Sequence, residues 1–207
     1  MKEFKNGLLT GLTLQLAIGP VFFFIINLAL QKTIYDGLAG VLAVTFVDYL
    51  YILLSILGIG KLLEKRKFKQ IFGITSSILL VIFGVLIFKG IFEKNTSMQA
   101  LSNSSNLFSS FSSVFLITIS SPMTIVFFTS LFTAIAIEYK YAKNELLRFG
   151  LGTGFATLLF MGTFVVFASL IKEVIPTLLF QVLNGTVGIL LIGYGLLRMY
   201  RVIGRKK

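Results

Sequence analysis

Two prolines sit inside apolar runs long enough to cross a membrane: Gly19-Pro20 in the first run of this 207-residue chain and Ser121-Pro122 in the fourth. A proline inside a helix removes one backbone hydrogen bond and crowds the carbonyl four residues earlier, so each run is expected to bend or break near its middle. Backbone groups freed within lipid cost several kcal/mol unless they line a cavity or meet a partner. Paired broken helices in the two halves of a chain therefore point to a substrate site near the bilayer midplane.

Composition requires the membrane. The chain is 56% hydrophobic and 13% charged, with a mean hydropathy of +0.93, against the roughly 25% charged share of a soluble domain. Spans are expected at about 7–30, 37–62, 71–92, 107–137, 146–171 and 178–199, about 20 residues being needed for each crossing. This predicts an all-α membrane protein of six transmembrane helices, a single transmembrane domain over 1–207. The first run is not expected to be a cleaved leader, because the stretch after Met1-Lys2-Glu3-Phe4-Lys5 is too long and lacks a small-residue cleavage site. The fourth run would extend about 45 Å as one helix, against about 30 Å of hydrocarbon, so a break at Pro122 or a tilted first turn is expected.

Cysteine and histidine are both absent. Disulfides, thiolate or imidazole metal sites, and Ser-His-Asp or Cys-His catalysis are thereby excluded within the chain. No enzyme activity, cofactor or metal site is expected, and function falls to carboxylates, hydroxyls, amides and backbone.

Charge sets the orientation. Counting alternate crossings, Lys32, Lys89, Lys94 and Lys172 fall on one side and the other 15 of the 19 Lys and Arg on the opposite side. By the positive-inside rule this predicts a cytoplasmic-membrane protein with both termini cytoplasmic and Glu64–Lys69 as a cytoplasmic loop. An odd number of spans would scramble the separation. The net charge of +11 therefore reflects topology, and nucleic acid is not an expected partner, since the basic residues cap apolar spans with no binding motif beside them. The tail Arg198–Lys207 is expected to meet anionic lipid headgroups, at about 1 kcal/mol per basic residue.

The polar segment Glu93–Ser113 divides the chain into three spans and three. Repeat one is expected at about 1–92, a loop at about 93–106 and repeat two at about 107–207. An odd number of spans per half makes similar halves inverted repeats. Gly19-Pro20-Val21-Phe22-Phe23-Phe24 and Ser121-Pro122-Met123-Thr124-Ile125-Val126-Phe127-Phe128 carry the similarity, although proline followed by phenylalanine can recur by chance in a chain with 22 Phe.

Asp48 is the sharpest single residue, the only acid deep in a span, about twelve positions into the second run. A carboxylate there costs about 2.5–3.5 kcal/mol on insertion scales and faces a polar interior. Two functional roles follow: counter-ion to a substrate ammonium, or carrier of a coupling proton. A structural alternative joins helices through Tyr49, Thr45 or Gln15. Gln15 could pair with carbonyls freed at the first break, and Asn27 lies two turns beyond it; as helix glue each contributes about 0.6–2 kcal/mol. Ser120, Ser121 and Thr124 surround Pro122, where hydroxyls either bond back to the i−4 carbonyl and repair a kink or contact substrate. Amides just after Gly19-Pro20 and Ser121-Pro122 would face a substrate carboxylate, because helix N-termini carry positive partial charge. Thr153 and Thr157 are candidates for a cavity wall without an assigned orientation, and Asn184 is expected at the interface.

Gly150-Leu151-Gly152-Thr153-Gly154 lacks the Lys-Ser/Thr of a phosphate loop and any preceding strand, so phosphate binding is not expected. Gly7, Gly11, Gly185, Gly188, Gly193 and Gly195 are expected at close helix contacts. The Gly7 to Gly11 spacing is small-xxx-small, which could also support a homodimer.

Gly7-Leu8-Leu9-Thr10-Gly11 leading to Ile18-Gly19-Pro20, Gly37 through Val47-Asp48, Gly58-Ile59-Gly60, the later proline motif and Arg148-Phe149-Gly150 together resemble the LysE/RhtB-type amino-acid exporters over nearly the whole chain. Members of that family typically carry Pro-Gly-Pro, Gly-Asp and Asn-Pro-Lys where this chain has Ile18-Gly19-Pro20, Val47-Asp48 and Ser121-Pro122-Met123. Met123 stands in place of a basic residue, so no carboxylate-binding or gating role of a lysine carries over. The resemblance implies export of a small amino acid or related solute across the cytoplasmic membrane, driven by an ion gradient such as a proton's rather than by ATP. The superfamily alternative is export of a divalent or heavy-metal cation, for which Asp48, methionines and carbonyls would be a poor ligand set.

Overall fold

Both prolines begin helices. The computed structural model describes residues 1–16, 18–58, 66–92, 106–172 and 177–204, and among these every regular element is an α-helix: α1 (Lys2–Gln15), α2 (Pro20–Gln31), α3 (Ile34–Ile56), α4 (Arg66–Phe92), α5 (Leu107–Ile119), α6 (Pro122–Tyr139), α7 (Lys143–Ile171) and α8 (Thr177–Gly204). Pro20 and Pro122 are the first residues of α2 and α6, after extended backbone at Gly19 and Ser121. A missing N–H costs nothing at that position, and the fixed φ already suits a helix. The axis turns by 83° between α1 and α2 and by 63° between α5 and α6. Each expected bend is a complete break and restart.

Capping fixes the long helices. The Thr33 hydroxyl accepts from the Asp36 N–H at 3.2 Å and the Asp36 carboxylate accepts from the Thr33 N–H at 3.3 Å, a reciprocal cap on α3. On α7 the Glu145 carboxylate accepts from the Ala142 N–H at 2.8 Å. The second span was expected to run to residue 62, but α3 stops at Ile56, because Gly58 takes φ +76 and its N–H turns back to the Ser55 carbonyl at 3.1 Å. Arg66–Lys69, expected in a loop, open α4. Ile59-Gly60, Glu64-Lys65, most of the 93–106 loop and the end of the basic tail, 205–207, lie outside the described residues.

Among the described residues α3 and α7 are long and apolar enough to span a membrane, and the broken pairs α1–α2 and α5–α6 raise the count to four if each is one span. With 27 and 28 residues, α4 and α8 have the length of a span.

The helices pack mainly across the two halves of the chain. α1 runs parallel to α7, Gly7 meeting Phe149, Gly11 meeting Ala156 and Gln15 meeting Thr157; a Cβ on Gly7 would collide with the Phe149 carbonyl and one on Gly152 with the Phe4 carbonyl, so only glycine permits this approach. Gly7 and Gly11 thus serve a contact within the chain. α5 runs parallel to α3, with Val114 over Gly40 and Ser110 beside Asp36. α3 and α7 are antiparallel, Gly37 meeting Val165 at one end and Gly150 meeting Ile52 at the other. α4 and α8 are also antiparallel, Gly84 against Ile192 and Gly195 against Val81. The pair α4–α8 touches the remaining helices chiefly through α2, α5 and α6, and α3 with α4 or α7 with α8 make little contact. One apolar cluster, including Ile25, Val41, Val114, Val165 and Leu191, fills one side of the α3–α7 crossing; another, including Val47, Ile52, Phe132 and Phe149, fills the other.

Candidate functional site

A cavity of about 420 Å³ opens where the two breaks approach each other. Gly19, Pro20 and Val21 from the first break and Ser121 and Thr124 from the second share its wall with Gln15, Asp48 and Thr157. α4 and α8 contribute Leu80 and Tyr194, so the α4–α8 pair covers a site whose polar floor belongs to α1, α3 and α7.

Asp48 is 6% exposed. Its Oδ2 accepts from the Thr157 hydroxyl at 2.8 Å, and that hydroxyl oxygen accepts from Gln15 Nε2 at 2.6 Å. The chain Gln15, Thr157, Asp48 commits the one hydroxyl proton to the carboxylate and ties it to the last residue of α1. Among the described residues the only ion pair joins the N-terminal ammonium to Glu3 at 3.3 Å, so no basic side chain neutralises Asp48. Of the partners expected for it, Gln15 is connected only through Thr157, Tyr49 donates instead to the Leu151 carbonyl at 3.1 Å, and the Thr45 hydroxyl is buried without a partner.

Neither α2 nor α6 carries a side-chain cap at its N-terminus. The Phe22 N–H reaches the Gly19 carbonyl at 3.1 Å and the Thr124 N–H the Ser121 carbonyl at 3.3 Å. Both helix starts thus present the positive ends of their dipoles at the cavity wall. The back-bonding expected of Ser120, Ser121 and Thr124 is made one turn earlier, by Thr118 to the Val114 carbonyl at 2.8 Å, while Thr124 Oγ1 donates to Ser121 Oγ at 3.1 Å. An acid without a basic neighbour, set between two helix starts, can take up an ammonium or a proton on one side and an anion on the other.

The structure brings eight of the sequence candidates together: Gln15, Gly19, Pro20, Asp48, Ser121, Thr124, Thr153 and Thr157. Pro122 is the first residue of α6, and Ser120 caps α5 through its N–H to the Leu116 carbonyl at 3.2 Å. Asn27 is elsewhere. Its side-chain amide donates to Asn184 Oδ1 at 2.5 Å, and Gln31 donates to the same oxygen at 2.6 Å, joining α2 to α8. Asn184, expected at the interface, is only 6% exposed and serves as this shared acceptor. Sequence reasoning left Thr157 unoriented and missed Leu80 and Tyr194. The signal for Thr157 was its register: it stands twelve residues after Glu145, as Asp48 stands twelve after Asp36.

The family model for the LysE type translocator matches residues 12–201, from just before Gln15 to beyond Tyr194. The chain belongs to the LysE type translocator family. No curated protein and no solved structure matches it. As a LysE type translocator it is a membrane-embedded transporter rather than an enzyme, handling a small-molecule substrate in contact with lipid. The match contains both breaks, the whole α3–α7 crossing and the wall formed by α4 and α8.

Proposed function

We propose that this LysE type translocator exports a small amino acid or related solute across the cytoplasmic membrane by alternating access, driven by an ion gradient. The observation that carries the reading is the cavity in which both helix breaks and Asp48 meet. Asp48 holds the substrate ammonium or carries the coupling proton, and the starts of α2 and α6 receive the carboxylate.

Six spans follow if α1–α2 and α5–α6 each count as one and α4 and α8 cross fully. The helix order then repeats as broken span, long helix, long helix. Exchange of the halves carries the parallel α1 and α7 onto the parallel α5 and α3, and maps the antiparallel pairs α3–α7 and α4–α8 onto themselves, which supports an inverted repeat. Lys2, Lys5, Lys143 and Arg148 lie at the same end, where α1 and α7 begin together, which favours cytoplasmic termini. Because the halves interlock, the motion that fits the packing is a displacement of the α4–α8 pair against the block of α1, α3, α5 and α7, with α2 and α6 as the arms between them.

The test is counterflow in proteoliposomes, with radiolabelled amino acids and, in parallel, divalent cations. Saturable exchange of an amino acid is expected. Exchange of a divalent cation with no amino acid moving would replace this reading with the cation alternative.

A further inference from the structure

We infer that the cavity selects an amino acid with one ammonium and an apolar side chain, branched or aromatic, and rejects basic and acidic side chains; this rests on the export reading above. Among the described residues, Asp48 is the only Asp, Glu, Lys or Arg in the cavity wall. A zwitterion with an apolar side chain can present its ammonium to Asp48 and its carboxylate to the helix starts, which leaves no charge stranded. Lysine or arginine would bring a second cation, and the described wall offers no second carboxylate to meet it. Glutamate or aspartate would bring a second anion beside Asp48, and the described wall offers no basic side chain to meet that. A buried charge left without a partner is strongly disfavoured.

The hydroxyls of the wall argue independently against polar side chains. Thr118 donates to the Val114 carbonyl at 2.8 Å, Thr124 to Ser121 at 3.1 Å, Thr153 to the Phe149 carbonyl at 3.0 Å and Thr157 to Asp48 at 2.8 Å. Those four protons are committed within the protein, which leaves the hydroxyls of Ser121 and Tyr194 as the hydroxyl donors of the described wall for a polar side chain. The rest of the wall is apolar, with Phe22, Val44, Leu80, Ile117, Phe127 and Met161 around one space of about 420 Å³. Such a volume suits one small molecule. Each methylene fitted or lost in a pocket of this kind changes selectivity by about tenfold or more.

The experiment is counterflow by the full chain in proteoliposomes loaded in turn with leucine, phenylalanine, serine, lysine and glutamate. Leucine or phenylalanine is expected to exchange at least about tenfold faster than the other three. A second arm adds a carboxylate to the cavity wall by Tyr194→Glu on α8, and separately by Phe127→Glu on α6, both side chains lining the cavity. In whichever variant reconstitutes, the lysine-to-leucine ratio is expected to rise by about tenfold. Preferred exchange of lysine, glutamate or serine by the unsubstituted protein overturns the inference and leaves amino-acid export standing. An unchanged lysine-to-leucine ratio in both variants also overturns it. Exchange of none of the five overturns the export reading and the inference with it.

Discussion

Thr157 donates a 2.8 Å hydrogen bond to Asp48 across the crossing of α3 and α7, and the two residues hold equivalent places, each twelve positions after the carboxylate that caps its own helix. Their helices run antiparallel, so the pair sits near the middle of the crossing. An inverted repeat would put that point on its pseudo-two-fold axis. Of two matching positions, one then supplies the charge and the other the hydroxyl that holds it.

Replacing that hydroxyl separates orientation from packing. Thr157→Val keeps the shape but leaves Asp48 and Gln15 without their shared partner, at a cost of about 1–3 kcal/mol. Transport by Thr157→Val is expected to fall about tenfold, with Thr157→Ser recovering most of it; counterflow rates of the two variants side by side are the check, and equal rates would contradict the role.

Pro20 and Pro122 should be cheaper to replace than mid-helix prolines would suggest. At the first position of a helix proline relieves an N–H that has no helical partner, so Pro20→Ala and Pro122→Ala are expected to shift stability by less than about 1 kcal/mol. Helix content by circular dichroism should not rise, since the breaks persist through the extended backbone at Gly19 and Ser121. A gain in helix would mean that the prolines alone impose the breaks.

These breaks show what the sequence made legible. Proline within an apolar run signalled an interruption at residues 20 and 122, and the deep Asp48 was visible because a lone acid is costly in a span. The 83° turn between α1 and α2 was not visible, because it depends on how Gly7, Gly11 and Gly152 allow α1 to settle on α7. Neither was the burial of Asn184, whose partners Asn27 and Gln31 lie more than 150 positions away in the chain. Asn27 read as a site candidate for the same reason: a polar residue in a span advertises a partner but does not say whether that partner is substrate or protein.

Asn184 yields a further expectation. It accepts from both Asn27 and Gln31, the described hydrogen bonds that tie α8 to α2, so Asn184→Leu should loosen the α4–α8 pair from the rest, by about 0.6–2 kcal/mol. The absence of native cysteine permits a single reporter, Thr124→Cys, in the cavity wall. Labelling of that reporter by an impermeant thiol reagent from the outer face should speed up in the Asn184→Leu background; an unchanged rate would show that the tie does not hold the cavity shut.

The close approach of α1 and α7 gives a stability prediction. Gly152→Ala sets a methyl against the Phe4 carbonyl, and overpacking of this kind costs about 1–3 kcal/mol. Gly193→Ala, with nothing within 4 Å of the added carbon, should be neutral or slightly stabilising; thermal unfolding in detergent should separate the two variants.

The measurement that bears most directly on the cavity as the transport site is amino-acid counterflow by Asp48→Asn, with reconstituted protein matched in amount and fold to the unsubstituted chain. Removing one member of a buried charge pair costs about 2–5 kcal/mol, so exchange is predicted to fall about 30-fold or more. Exchange at the unsubstituted rate would contradict the account.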